Sequence, residues 1–312
     1  MIAEALWYIG RCYEHKLDFA SALESYQQLL KDVSPEKITS PVGKGWYEEA
    51  KFNIGYCYLQ LQNYEKAYRV WEEVLREEQG KGSDLYYVTK RVLKNYKQVI
   101  ASQPFPAQEK QRGTSKLLGP IYGIFMDYKM EFRRIDSILI VYGTQSKNPE
   151  ENQACEYLAN KVKEYLGKRL VCKKDTELSQ EEIRSKNLVL IGTPSSNKVL
   201  ANLSGSLPIK IGTDITIEVA DRLYKGEDLG VIMVAPHPLN EELFVLVYSA
   251  FQPSLLRNIF SVYHGGTDYI IFSTQSLSER VEPDPEKPSL EEGYFFKSPG
   301  KWQPFFSATP KK

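Results

Sequence analysis

The sequence lacks the features that mark membrane proteins and nucleic-acid-binding proteins. No apolar run approaches the length of about 18 residues that a membrane-spanning helix needs. The 40 basic residues are balanced by 40 acidic residues, so no net charge favours nucleic acid or an anionic membrane. The chain has 312 residues, of which 42% are apolar, and this is typical of a globular protein with about two domains.

Cysteine and histidine, the main ligands of structural zinc, are few, and their spacing is not that of a zinc site. The chain has three histidines and four cysteines, with no C-x-x-C pair. The cysteines are Cys12, Cys57, Cys155 and Cys172. A structural zinc site needs four ligands close in space. We therefore predict no metal site and interpret the cysteines as free, buried thiols.

The N-terminus shows no targeting signal. The stretch MIAEALWYIGRCYEH has neither the basic start nor the small-residue cleavage site of a signal peptide. It has the pattern of the interior of an amphipathic helix, so the chain is consistent with a piece that begins inside a longer protein. The absence of a signal peptide leaves a cytoplasmic location open, and the sequence does not determine the compartment.

Motifs of catalysis and nucleotide binding are also missing. The chain has no G-x-S-x-G, G-x-G-x-x-G or G-x-x-x-x-G-K-[ST] motif. A hydrolase would have to combine Ser195 or Ser196 with His237 or His264 and an acid such as Asp268. His237 lies between two prolines and His264 precedes two glycines, and both sequence contexts are typical of histidines with a structural role. We therefore predict a protein with no catalytic residues and no cofactor.

The first hundred residues contain an internal repeat. Residues 6–13 (LWYIGRCY) align with residues 51–58 (KFNIGYCY) at Ile, Gly, Cys and Tyr. Ala22 and Tyr26 then follow the first glycine at the spacing with which Ala67 and Trp71 follow the second. Small residues let two helices approach closely while the aromatic residues fill the surrounding space, so each copy predicts a helical hairpin.

This pattern resembles the tetratricopeptide repeat, a family of peptide-binding and protein-binding scaffolds. The two copies are 45 residues apart, which implies an enlarged loop containing ITSPVGKGW. A degenerate third hairpin is predicted from Ser83 to about Ser102. The resemblance implies a protein or peptide partner. The alternative is that this short array only packs on the next domain.

Strand and helix patterns alternate in the rest of the chain, which predicts a mostly parallel sheet covered on both faces. The predicted strands span residues 137–142, 169–173, 187–191, 215–219, 229–234, 243–248 and 269–272. The predicted helices span residues 149–166, about 195–203 and about 254–263. The order of the strands cannot be read from the sequence.

These patterns give a fold class of α plus α/β. Tetratricopeptide-type hairpins occupy residues 1–103, and a linker occupies residues 104–116. Residues 117–275 are predicted to form a Rossmann-like or flavodoxin-like three-layer domain with a β-meander insertion. Residues 276–312 are a Pro/Glu-rich tether and an aromatic tail, which is either a latch on the fold or a contact surface for a partner.

A second resemblance covers roughly residues 118–302. The succession LIVYGTQ, NLVLIGTPSSN, GVIMVAPHPLN and GYFFKSPGKW is similar to the non-catalytic C-terminal region of secreted bacterial proteins related to prolyl oligopeptidases and esterases. The resemblance implies an accessory domain and an extracytoplasmic location. It brings no catalytic motif with it.

Two Gly-Thr turns, at Gly143 and Gly192, each lead from a predicted strand into a predicted helix. Asn148, Pro149 and Glu150–Glu151 neutralise the start of the first helix, and Glu151 is placed for a capping-box-like contact. The second helix has no carboxylate at its start and could hold a phosphate, sulfate or carboxylate. The predicted anion site consists of Gly192, Thr193, Ser195, Ser196, Asn197 and Lys198. In the alternative interpretation, Ser195 or Ser196 simply caps the helix.

The function that we predict is a non-enzymatic protein–protein interaction or scaffold protein with an accessory α/β module. The alternative is a module that binds a small anionic ligand or assists a hydrolase. Its site would lie at the C-terminal edge of the sheet, near Gly143, Gly192 and His237.

Overall fold

A computed structural model describes residues 2–15, 18–34, 36, 38, 41–61, 63–81, 83, 85–90, 92–93, 138–166, 170–263, 267–279, 283–284, 286–298 and 301–305. The chain divides into two compact units, Met1–Gly119 and Pro120–Lys312. The predicted linker, residues 104–116, lies outside the described residues. Among the described helices, none is both long enough and apolar enough to span a membrane.

The N-terminal unit contains two helical hairpins. Helices α1 (Ile2–His15) and α2 (Phe19–Asp32) form the first, and α3 (Pro41–Gln60) and α4 (Tyr64–Glu78) form the second. The second helix of each hairpin starts with the same kind of cap. Asp18 accepts a hydrogen bond from the backbone N–H of Ser21 at 3.1 Å, and Asn63, 45 residues later, accepts one from Lys66 at 3.4 Å.

Close helix contact at two glycines accounts for the repeated sequence pattern. A Cβ atom added to Gly10 would lie 2.5 Å from Cε1 of Tyr26, and one added to Gly55 would collide with Nε1 of Trp71. Tyr26 and Trp71 are both almost fully buried, as are Ala22 and Ala67 beside them. The predicted register of the two copies is therefore confirmed. The large ring of one helix packs on the glycine of the other.

The predicted third hairpin falls mostly outside the described residues. Residues 85–90 and 92–93 are helical, and Thr89, Val92 and Leu93 are buried. The remainder of that prediction, up to about residue 102, is not among the described residues.

The C-terminal unit is built on an eight-stranded mixed sheet. Its first strands are β1 (Ile138–Tyr142), β2 (Val171–Lys174) and β3 (Asn187–Ile191). The later ones are β7 (Leu229–His237), β8 (Asn240–Ala250), β9 (Tyr269–Ser273), β10 (Glu291–Ser298) and β11 (Lys301–Phe305). The order across the sheet is β11-β10-β9-β7-β8-β3-β1-β2.

Strand direction corrects the prediction of a mostly parallel sheet. Strands β2, β1, β3 and β8 are mutually parallel. Strands β7, β9, β10 and β11 each pair antiparallel with their neighbours. The reversal begins at β7, because β7 and β8 form a hairpin through a two-residue turn, and such a hairpin can join only antiparallel strands.

A second, smaller sheet is inserted between β3 and β7. Its strands β4 (Ile209–Ile211), β5 (Thr216–Val219) and β6 (Arg222–Lys225) pair antiparallel in chain order, as a meander does. The buried residues Ile209, Ile217 and Val219 belong to the core that lies on one face of the main sheet. The small sheet is therefore part of the covering layer of that face.

Helices complete the cover on both faces. Helices α5 (Pro149–Leu166) and α8 (Pro253–Arg257) pack on each other; α5 contacts β1, β2 and β3, and α8 contacts β7 and β8. Helices α6 (Gln180–Ser185) and α7 (Lys198–Ser204) contribute buried side chains to the core shared with the small sheet. Successive side chains of a strand point to opposite faces, so a strand that is covered on both faces is buried along its whole length. Strand β3, with the sequence NLVLI, is buried in this way.

The C-terminal segment adds two strands that the sequence did not predict. Residues 291–298 pair with β9 through their first three positions and with β11 through their last five. Phe295 is fully buried and stacks on Tyr269 with ring centroids 5.1 Å apart. This part of the predicted tether and aromatic tail thus belongs to the sheet.

Candidate functional site

The two Gly-Thr turns meet at one end of the parallel strands. Strands β1 and β3 are neighbours, so the loops that follow them leave the sheet side by side. The N–H of Gly143 donates to the carbonyl of Ile191 at 2.9 Å, and the N–H of Gln145 donates to the carbonyl of Ser196 at 2.8 Å. The turns are therefore joined by backbone hydrogen bonds.

Glu151 links the first helix to the second turn. Its carboxylate accepts hydrogen bonds from the Ser146 hydroxyl at 2.6 Å and from the Thr193 hydroxyl at 2.8 Å. The predicted capping-box-like contact of Glu151 is replaced by this bridge, because the Thr193 hydroxyl faces the start of α5. Asn148 accepts from the N–H of Glu150 at 3.0 Å, so it caps the helix as predicted.

Asp175, at the end of β2, joins the same two turns from the other side. It accepts hydrogen bonds from the Thr144 hydroxyl at 2.6 Å and from the backbone N–H of Lys198 at 2.8 Å. Asp175 is almost completely buried. The sequence predicted no negative charge at the start of α7, but Asp175 supplies one from the end of strand β2.

Asn197 caps helix α7, where the sequence favoured Ser195 or Ser196. Its side-chain oxygen accepts from the N–H groups of Val199 and Leu200, both at 3.0 Å. Its amide donates to the carbonyls of Val141 and Ile191. Ser196 is buried and accepts from the N–H of Thr193 at 2.8 Å, so it closes the turn instead of capping the helix.

Gly192 gives this turn its shape. It has φ = 119°, a region that side chains with a Cβ rarely adopt. A Cβ at this position would also lie 2.6 Å from the Ser196 hydroxyl. The glycine therefore serves the tight turn around Ser196.

The amide groups of the predicted anion site are already bound by the protein. Lys198, Val199 and Leu200 donate their N–H groups to Asp175 and Asn197, and an anion would have to displace both side chains. Only Ser195 and the Lys198 side chain are exposed. The anion site stays a prediction, and this geometry does not support it. We expect millimolar phosphate to leave the amide resonances of residues 192–198 unmoved.

His237 lies at the opposite end of the sheet from these turns, which corrects the predicted cluster of Gly143, Gly192 and His237. Ile191 pairs with Tyr248 of β8, whereas His237 pairs with Asn240 at the start of β8. Eight residues of an extended strand span about 26 Å. The predicted cluster was wrong because β7 runs antiparallel to β3. The C-terminal end of β7, which carries His237, therefore lies at the opposite end of the strands from the Gly-Thr turns.

His237 and Asp268, which a hydrolase would have to combine, each have a structural role in the fold. His237 is fully buried and accepts a hydrogen bond from the N–H of Leu239, and burial lowers its pKa, so the ring is held neutral. Asp268 accepts a hydrogen bond from the N–H of Phe295 at 2.9 Å, which holds β10 in place. His264 lies outside the described residues.

The cysteines and acidic residues do not assemble a metal site within the described part of the chain. Cys57 and Cys155 are buried, and burial raises the pKa of Cys155 to about 12. Cys172 is half-buried and Cys12 is exposed, so the prediction of buried thiols is wrong for Cys12. Cys12 is exposed because it lies on the outer face of the first helix.

One buried polar cluster was not predicted. The Glu291 carboxylate, fully buried, pairs with Arg222 at 2.5 Å and accepts hydrogen bonds from the hydroxyls of Tyr224 at 2.5 Å and Tyr269 at 2.7 Å. Burial raises the pKa of Glu291, and the two tyrosines and the arginine oppose that rise. The cluster ties the small sheet to strand β10. No sequence pattern predicts this cluster, since Glu291 lies in an acidic stretch that resembles a tether.

The N-terminal unit carries an open groove of about 310 Å³ between α2 and α4, with α3 as its floor. It is lined by Gln27, Leu30, Lys51, Ile54, Tyr58, Val70, Glu73 and Val74. At the rim, Gln27 donates a hydrogen bond to the Tyr58 hydroxyl at 3.0 Å, and Lys51 pairs with Glu77. The groove thus combines an apolar floor with a polar rim.

Comparison with known families gives a match in this unit. Residues 4–34 and 49–78, which correspond to the two helical hairpins, match the tetratricopeptide repeat family. The N-terminal unit carries two tetratricopeptide repeats. Tetratricopeptide repeats generally mediate protein–protein interaction. No curated protein matches the chain.

Proposed function

We propose that this protein is a non-enzymatic interaction or scaffold protein whose tetratricopeptide repeats bind a segment of a partner protein. The observation that carries the proposal is the groove between α2 and α4. Both helices belong to matched repeats, and repeats of this kind are interaction modules.

The groove has the composition of a peptide-binding surface. Its apolar lining, formed by Leu30, Ile54, Val70 and Val74, would receive an apolar side chain of the partner. Lys51 and Glu73 at the rim would bind polar groups of the partner backbone or of flanking side chains. Leu30 and Val70 are half-buried, so part of their surface is available for contact.

We further propose that the C-terminal unit is a Rossmann-like or flavodoxin-like accessory module that begins near residue 117 and continues beyond the predicted bound at residue 275 to include β10 and β11. The parallel order β2-β1-β3-β8, with helices between successive strands, supports this assignment. The short motifs that resemble the non-catalytic region of secreted esterase-like proteins support an accessory role. The internal hydrogen bonding of the Gly-Thr turns favours scaffolding over ligand binding at that edge.

Site-specific photocrosslinking tests the interaction proposal. A photoreactive phenylalanine analogue replaces Tyr58 at the groove rim, and a matched protein carries it at Tyr165, an exposed tyrosine of α5. We expect a discrete crosslinked partner from position 58 only. The adduct should disappear when Leu30→Lys is added, because the cation would occupy the apolar groove.

Circular dichroism must show that Leu30→Lys keeps the helical content of the parent protein. An adduct that persists in Leu30→Lys, or the same adduct from position 165, would contradict the proposal.

A further inference from the structure

One polar pair at the rim of the groove between α2 and α4 has the chemistry to bind a polypeptide backbone. The Gln27 amide donates to the Tyr58 hydroxyl at 3.0 Å, and both side chains line the groove. The hydroxyl keeps its own proton to donate, and the amide oxygen of Gln27 is an acceptor. The pair therefore matches the free C=O and N–H groups of an extended chain. A helix does not fit it, because the backbone groups in the interior of a helix are already paired with each other.

Glu73 adds a charge at another point of the same groove. Lys51 and Glu73 are its charged lining residues, and Lys51 already pairs with Glu77. Within the described part of the chain, Glu73 forms no ion pair, and its side chain is exposed. A carboxylate beside an apolar surface attracts a basic side chain of a ligand and repels an acidic one.

The positions of these groups along α3 set the spacing that a ligand must have. The indole N–H of Trp71 donates to the carbonyl of the residue after Lys51 at 3.1 Å, and Glu77 pairs with Lys51 itself. Glu73 lies between Trp71 and Glu77 in α4, so it is close to the level of Lys51. Tyr58 lies seven residues farther along α3, which is a rise of about 10 Å. About three residues of extended chain span the same distance.

We propose that the groove binds an extended segment of the partner with an apolar residue and, within about three positions of it, a lysine or arginine. The apolar side chain occupies the apolar lining of the groove. The backbone of the segment bonds to Gln27 and Tyr58, and the basic side chain pairs with Glu73. This inference rests on the proposed function, because it specifies the kind of segment that the groove binds.

A random dodecapeptide library displayed on phage is the probe, and it is selected on the full chain. Each enriched peptide is then tested on Leu30→Lys, which places a cation in the apolar groove. We expect the enriched peptides to share an apolar residue with a lysine or arginine within three positions and to lose binding to Leu30→Lys.

Two isosteric substitutions in α4 test the role of Glu73 with one such peptide in synthetic form. Glu73→Gln should weaken binding about two- to fivefold, as expected for an exposed ion pair. Glu72→Gln is the matched control, because it removes a carboxylate from the same turn and keeps an acceptor for the Tyr68 hydroxyl. It should bind like the parent. Glu73→Lys should prefer the peptide in which glutamate replaces the basic residue.

The backbone contact has its own pair of variants. Tyr58→Phe removes the hydroxyl that would donate to the peptide, so binding should weaken about two- to tenfold. Tyr8→Phe, at an exposed tyrosine of α1, should leave binding unchanged.

The outcomes separate this inference from the proposed function. Peptides that are lost on Leu30→Lys but bind Glu73→Gln and Tyr58→Phe like the parent overturn the inference and leave the proposed function standing. Enriched peptides with apolar residues at i, i+3, i+4 and i+7 and no basic residue have the same consequence, since the ligand is then a helix. Sedimentation of the chain as a dimer that Leu30→Lys dissociates would also overturn the inference, because a second copy would occupy the groove. If Leu30→Lys binds every enriched peptide like the parent, the inference and the proposed function are both wrong.

Discussion

At Gly10 and Gly55, the first helix of each repeat packs closely against an aromatic ring of the second helix. A methyl group at either position would overlap the ring of Tyr26 or Trp71, and both rings are buried. We expect Gly10→Ala and Gly55→Ala each to lower the free energy of unfolding by about 1 to 3 kcal/mol. Chemical denaturation followed by circular dichroism measures this change.

Gly45 provides the control for these substitutions. It lies in α3 with no atom within 4 Å of its added Cβ, so Gly45→Ala should stabilise the protein by about 0.5 to 1 kcal/mol through helix propensity alone. A loss of stability at Gly45 equal to that at Gly10 would show that the effect does not come from the aromatic contact.

Glu291 is expected to make stability depend on pH. Because burial raises its pKa above the ordinary value of 4.5, the folded state binds a proton more tightly than the unfolded state. The contribution of Glu291 to stability is therefore greatest below pH 4.5 and is lost as the pH rises through the folded pKa. The difference in unfolding free energy between the parent protein and Glu291→Gln should fall as the pH increases from about 4.5 towards neutrality.

Denaturant titrations of both proteins at a series of pH values measure this difference, and contributions from other titrating groups cancel. A difference that grows with pH would mean that Arg222 stabilises the carboxylate more than burial penalises it.

At the residue scale, the sequence identified the packing residues that recur in both repeats and missed contacts that are formed only once. Gly10 and Ala22 could be identified because Gly55 and Ala67 recur at the same offsets. Glu151 could be assigned to the start of a helix, but its hydroxyl partner Thr193 lies 42 residues away in the chain. Contacts of that kind depend on which strands become neighbours, and a single sequence does not contain that information.

At the element scale, the bridge by Glu151 makes the two Gly-Thr turns a single structural unit. We expect Glu151→Ala and Thr193→Val to be non-additive, because each removes the same hydrogen bond. The coupling energy in a double-mutant cycle should be about 0.5 to 3 kcal/mol.

A control cycle combines Glu151→Ala with Thr216→Val, which removes a hydroxyl on strand β5 of the small sheet. The effects in this cycle should add. Equal coupling in both cycles would refute the specific bridge.

The predicted bounds of helices and strands were most accurate where the local sequence signals were strong. Helix α5 and strand β3 have the predicted bounds, since Asn148-Pro149 marks the helix start and NLVLI is a continuous apolar run. Helix α7 begins at Lys198 instead of Ser195 because Asn197 takes the cap. Helix α6 and strands β10 and β11 were missed, since short elements in charged or proline-rich stretches have weak periodicity.

At the scale of the whole molecule, the class of each region could be predicted but the direction of the strands could not. The helical repeats and the sheet-containing region were recognised, yet β7 runs opposite to β3. That reversal places His237 far from the Gly-Thr turns, so His237 cannot act together with Ser195 or Ser196. The repeat unit carries a groove that can serve as an interaction surface.

The most direct test of the interaction proposal is the dissociation constant of the partner captured at position 58. It should be measured for the parent protein, for Leu30→Lys in the groove and for Leu61→Lys at an exposed position outside it. We predict that Leu30→Lys weakens binding at least about tenfold, or 1.4 kcal/mol, and that Leu61→Lys binds like the parent. Equal dissociation constants for Leu30→Lys and the parent would contradict the proposal that the repeats bind their partner through this groove.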